Sequence, residues 1–209
     1  MRLRHVVAIG LAALVLASLS ACSTSKAGAG AFVGDHRINE ADVNAYVVPG
    51  FTVPSSSTEQ QQPTPPRVIA LNSLIQVQLM TQLLDKSLGG VPSETELAAL
   101  HDEALATLFG IQQTGQDADA ALRDAVTRSG LKESFVPVVV QQAELTMAVV
   151  KKINAQRQSD IASAVQKAGI PVTVNPRYGS WSTTNAAISG PVQPNFLTLG
   201  PTATPTPQP

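Results

Sequence analysis

Charge is scarce in this chain. Of 209 residues only 14% are Asp, Glu, Lys or Arg, against roughly 25% in an average globular protein. Aromatic residues make up 4%, there is one cysteine, Cys22, and one tryptophan, Trp181. A single cysteine rules out an intrachain disulfide, so folding must rest on an ordinary apolar core. Three histidines leave little material for metal or acid–base chemistry: His5 lies near the start, His36 at a turn signal and His101 on the polar side of an amphipathic pattern. HExxH, CxxC, GxSxG and GxxxxGK[ST] are all missing, so zinc-protease, dithiol, serine-hydrolase and P-loop chemistry lack their parts. Nothing calls for a cofactor, and no catalytic constellation is expected. Removing residues 1–21 would take away Arg2 and Arg4 and no acid, leaving twelve bases against fifteen acids. That balance gives nucleic acid no electrostatic reason to bind.

What is present begins at the N-terminus. Arg2, Arg4 and His5 precede an unbroken run of small and apolar residues over 6–17, the length of a signal h-region and too short to span a membrane. Leu19-Ser20-Ala21-Cys22 follows, and it resembles the lipobox of bacterial lipoproteins. The resemblance implies cleavage before Cys22, acylation of that residue, and a body held on the extracytoplasmic face of the cell membrane. The plain alternative is a secretory signal with a leftover cysteine. Residues 22–30, small and polar, are expected to act as a flexible tether.

Beyond it the pattern is mainly helical. Two short apolar pieces flank Gly34-Asp35 and read as a hairpin, and Asn39 caps a short helix over 40–47. Ser, Thr, Gln and Pro over 52–66 make a loop, after which Pro65-Pro66 opens a helix over 67–88. Between Arg67 and Asp85 no residue carries charge, so this helix must be buried on most sides, while Asn72, Gln76, Gln78 and Gln82 argue against a membrane span. Ser93-Glu94-Thr95-Glu96 is a capping box for one helix ending at Gly110, and Asp117 caps another over 118–129. A long helix from 132 or 134 to 157 carries Pro137 in its first turn, and a short one covers 161–168. Val172-Thr173-Val174 is a strand signal. The Pro/Thr-rich stretch 182–209 is expected to be disordered.

Three pieces carry a family resemblance. Phe32-Val33-Gly34-Asp35-His36-Arg37-Ile38-Asn39-Glu40-Ala41-Asp42-Val43, Gly130-Leu131-Lys132-Glu133-Ser134-Phe135 and Val172-Thr173-Val174-Asn175-Pro176-Arg177-Tyr178-Gly179-Ser180-Trp181 together resemble the SurA-like and PrsA-like extracytoplasmic folding factors. The resemblance implies one helical domain over 31–181, a single bundle in which a small two-stranded β element joins the N- and C-terminal segments. It also implies binding of unfolded or extended exported polypeptides. The parvulin isomerase module of the best-known members has no room here, so isomerase activity does not carry over. An envelope scaffold serving one dedicated protein partner is the alternative.

Candidate contacts for such polypeptides are Met80, Phe109, Phe135 and Met147, because flexible or large apolar side chains suit promiscuous surfaces; core packing would explain the same positions. His101-Asp102-Glu103 could hold a metal, but neighbours on a helix point apart, which favours a solvated face. Arg177 is expected to pair with an acid such as Asp35 or Asp42, or to stack on Tyr178 or Trp181.

Overall fold

The computed structural model describes residues 27–51, 64–112 and 114–189. Its described residues are mostly helical, with seven α-helices and two small antiparallel sheets. None of these helices is long and apolar enough to cross a membrane.

The described residues open on a hairpin, β1 (Ala29–Val33) and β2 (His36–Asn39), turned at Gly34 with φ +56°. Positive φ costs glycine nothing. The register pairs Val33 with His36, Phe32 with Arg37 and Ala31 with Ile38. Asn39 and Asp42 exchange capping bonds at the head of α1 (Glu40–Tyr46), whose Val43 is buried.

Helix α2 (Pro66–Ser87) opens on the expected prolines and buries eleven residues from Val68 to Leu84. At about 33 Å it is the longest described element, and β1 lies directly on it: a Cβ at Gly30 would stand 3.2 Å from Leu71 Cδ1. Gly90 closes its C-terminus by donating to the Leu84 carbonyl at 2.9 Å.

The helix expected to run unbroken from Ser93 to Gly110 is two. The capping box opens α3 (Glu94–Ala98), and the Ser93 amide and hydroxyl hold the Glu96 carboxyl below its ordinary range. A tight turn with Leu100 N–H donating to Leu97 O at 2.8 Å then interrupts the ladder before α4 (His101–Phe109). Next, α5 (Gln116–Arg128) starts before Asp117, because the Asp102 carboxylate accepts the Gly115 amide at 3.0 Å and fixes the turn there. Asp117 and Asp119 thus fall in the first turn, where acids favour the helix dipole.

A 3-10 turn at Glu133–Phe135 leads into α6 (Val136–Ile153), with Pro137 in its first turn; it ends on Asn154 at φ 50°, short of residue 157. α2 and α6 lie side by side in the same direction. Lys152 Nζ reaches the Leu88 and Gly90 carbonyls at 2.8 and 3.2 Å where both helices end. Helix α7 (Gln158–Ala168) takes its cap from Asp160, whose carboxylate accepts the Gln156 and Arg157 amides.

The C-terminal segment differs most from expectation. β3 (Val172–Val174) pairs antiparallel with β1, Val33 opposite Val172 and Ala31 opposite Val174, giving a three-stranded sheet ordered β2-β1-β3 rather than a two-stranded element. Around Trp181, β4 (Ser180–Ser182) and β5 (Ala187–Ser189) form a second hairpin, so regular structure is described as far as residue 189. Its stretch 182–189 has few apolar residues, and what holds it is distant in sequence. Gln76 donates to the Ala186 carbonyl, and Asn72 Oδ1 accepts the Ile188 amide at 3.1 Å.

Gly130 tests the packing. It sits at φ +79°, and a Cβ there would overlap the Phe51 ring. Gly130→Ala is expected to cost about 2 kcal/mol or more, against about 1 kcal/mol for Gly89→Ala, which has positive φ but open space. Urea midpoints of the two variants measure the difference.

Candidate functional site

Clefts open between the described elements. One, of about 360 Å³, lies between β2, α1, α2 and α6. Ile38, Tyr46, Leu74, Val77 and Val138 give it apolar walls, and His36, Asp42, Gln78 and Gln141 supply polar ones. It borders β2, which ends its sheet, and no described strand pairs with the outer edge of β2. Another, about 660 Å³, lies where α2, α6 and α7 end, between Leu83, Leu88, Ile153, Ala164 and Lys167.

The polypeptide-contact candidates do not share a surface. Met80 and Phe135 are fully buried and Met147 is 2% exposed, whereas Phe109, at the end of α4, is 43% exposed. Phe135 packs on Tyr46 with ring centroids 5.0 Å apart. As surface contacts, Met80, Phe135 and Met147 are therefore corrected: burying these large apolar side chains closes the core. Cys22 lies outside the described residues.

His101 is no solvated bystander. Its Nδ1 stands 3.2 Å from Glu144 on α6 and its Nε2 3.1 Å from Asp119 on α5, so one ring ties three helices. Only the doubly protonated imidazole donates to both carboxylates. The two nitrogens point apart, which does not suit one shared ion, and no group of three or more His, Cys, Asp or Glu among the described residues could hold a metal.

Arg177 pairs with Glu40 at 3.1 Å, not with Asp35 or Asp42. Asn175 joins them, donating to the Ala29 carbonyl at 3.1 Å and to Glu40 at 3.2 Å. The motif Asn175-Pro176-Arg177-Tyr178 thereby ties the C-terminal segment to the start of α1. Trp181 is partly buried against the core opposite Ile188. Sequence reasoning missed Glu40, Asp119 and Glu144 because their partners lie on other elements. The usable signal was for Asn72 and Gln76, polar amides on a helix that must be buried.

No family model, curated protein or solved structure matches the chain.

Burial raises the Tyr178 phenol above its ordinary value of 10.0, Glu40 adds to this, and Arg177 and Arg67 oppose it. The folded state thus holds the phenolic proton more tightly than the unfolded one. Its contribution is complete below pH 10 and is lost as pH rises past the folded value. Tyr178→Phe is therefore expected to flatten the fall in urea midpoint between about pH 9 and 11.

Proposed function

We propose that the chain is a lipid-anchored, non-catalytic module that binds extended segments of exported polypeptides, in the manner of the SurA/PrsA-like folding factors, outside the cytoplasm. In this reading the helices act as one bundle closed by the pairing of β1 with β3, and Cys22 carries the anchor. The observation that carries it is the apolar cleft along an open strand edge. An extended chain added to β2 would satisfy its backbone by main-chain hydrogen bonds, which are indifferent to sequence. Alternate side chains of the client would fall into the cleft between Leu74, Val77 and Val138, where apolar burial supplies affinity. Neither nucleotide nor covalent chemistry is involved. Anchoring would raise the local concentration of the module where exported chains emerge.

The chain from residue 22 onward, carrying Cys22→Ser, is expected to suppress aggregation of denatured exported proteins at several-fold excess, followed by light scattering. Leu74→Asp with Val138→Asp places charges where clients would be buried and should weaken client affinity at least about ten-fold while circular dichroism stays unchanged. No suppression by the parent chain overturns the reading, and capture of one stoichiometric protein instead selects the dedicated scaffold. The anchor has its own test. In the full chain Cys22→Ser should abolish palmitate labelling and move the protein from the membrane fraction to the soluble one.

A further inference from the structure

The point where the chain joins the fold has a distinctive charge. The Ala27 carbonyl accepts the Arg37 guanidinium, and the Gly28 carbonyl accepts the Glu40 amide at 2.8 Å. Arg177 binds Glu40 beside them. Arg67 lies in the first turn of α2, one turn before Leu71, against which β1 packs at Gly30, so it stands at this end too. Three guanidiniums thus stand against Glu40 and Asp42, and Lys26 adds a base to the preceding chain. Arg67 is exposed and has no bonding partner among the described residues.

One stretch of the sequence away from this end is acidic. From Glu94 to Asp119 the sequence holds six acids and no Lys or Arg. These residues sit on α3, α4 and the first turn of α5. α4 is tied to the middle of α6 by the His101–Glu144 pair and near its end by the Glu103–Lys151 pair, where Lys152 meets the last carbonyls of α2. β1, by contrast, touches α2 at Leu71 through Gly30. α3 and the Glu103–Lys151 pair stand towards the C-terminal end of α2, away from Arg67 at its start.

Chain length brings the basic end to a membrane. Ala27 is five residue steps from Cys22, and an extended chain covers at most about 3.6 Å per step, so an acylated Cys22 would lie within about 18 Å of Ala27. The field of an anionic leaflet decays over about 10 Å, so the tether allows the groups around Ala27 to come within its reach.

We propose that the face formed by Arg67 and Arg177, backed by Arg37, lies on anionic phospholipid headgroups and turns α3 and α4 away from the membrane. The inference rests on the anchor reading for its geometry, but the surface itself acts without the acyl chains. Arginine suits the role because its planar fork grips phosphate oxygens in pairs.

The chain from residue 22 onward with Cys22→Ser, which cannot be acylated, is mixed with vesicles of phosphatidylcholine alone or with phosphatidylglycerol added, and sedimented at low salt. Binding is expected only with phosphatidylglycerol, and it should fall as salt rises. Arg67→Glu should lower the bound-to-free ratio about five-fold or more. Lys167→Glu makes the same change in net charge beside the far cleft and should leave the ratio within about two-fold. Arg177→Gln, which keeps a donor near Glu40, should weaken binding in the same direction as Arg67→Glu. Equal sedimentation with both vesicle types, or equal losses from Arg67→Glu and Lys167→Glu, overturns the proposal. Absence of vesicle binding alongside a membrane-bound, palmitate-labelled full chain sinks this surface and leaves the anchor; vesicle binding without acylation does the reverse.

Discussion

Burial of α2 is the constraint from which the other elements take their places. A helix without charge from Val68 to Leu84 has no face to give to water, so the body surrounds it: β1 on one side, α6 alongside, and the β4–β5 hairpin against its first half. Covering it creates a second demand, because its amides go under as well. An unsatisfied buried polar group costs about 1–3 kcal/mol, and α2 meets that cost by bonding outward. Gln76 and Asn72 hold the C-terminal hairpin, Gln82 donates to the Val33 carbonyl at 2.7 Å, and Thr81 bonds back to Val77. The polar residues that keep α2 from being a membrane span are also the ones that fasten the two ends of the chain to it.

That double use explains which features were legible. The hairpin at Gly34-Asp35, the position of α2, the capping box at Ser93 and the first-turn place of Pro137 each depend on residues within one turn of each other. Local physics decides them, and local sequence shows them. The β4–β5 hairpin does not announce itself, because Ser182 to Ser189 has no apolar alternation and borrows its stability from α2 more than a hundred residues earlier. The break between α3 and α4 escapes for a related reason. Leu97, Leu100, Ala104 and Leu105 would make a passable stripe on one continuous helix, and only packing against α6 favours a tightened turn between them.

The candidate site divides the same way. Methionine and phenylalanine on apolar helices point equally to a core and to a greasy surface, and composition does not separate the two; Met80 and Phe135 went to the core. Arg177 was visible as a residue in need of an acid, yet choosing Glu40 over Asp35 or Asp42 requires knowing that β3 lies beside β1. With Ala31 opposite Val174, Asn175 arrives at the Gly30 carbonyl and Arg177 at the head of α1. Register, not propensity, makes that pair.

Register also accounts for how three residues of β3 close the chain. A three-residue strand is short even by the standards of small sheets. Here the ladder is prolonged at both ends by bonds outside the strand itself, Gly34 N–H to the Pro171 carbonyl and Asn175 N–H to the Gly30 carbonyl, each at 2.8 Å. The Asn175 side chain adds a further bond to Ala29, so β1 is held along its whole length on that side while β2 holds it on the other. A central strand fixed from both flanks and pressed on α2 gives β2 a rigid backing. In the function proposed above, an extended segment would meet an edge whose geometry is already set, and the ordering cost of binding would fall on that segment.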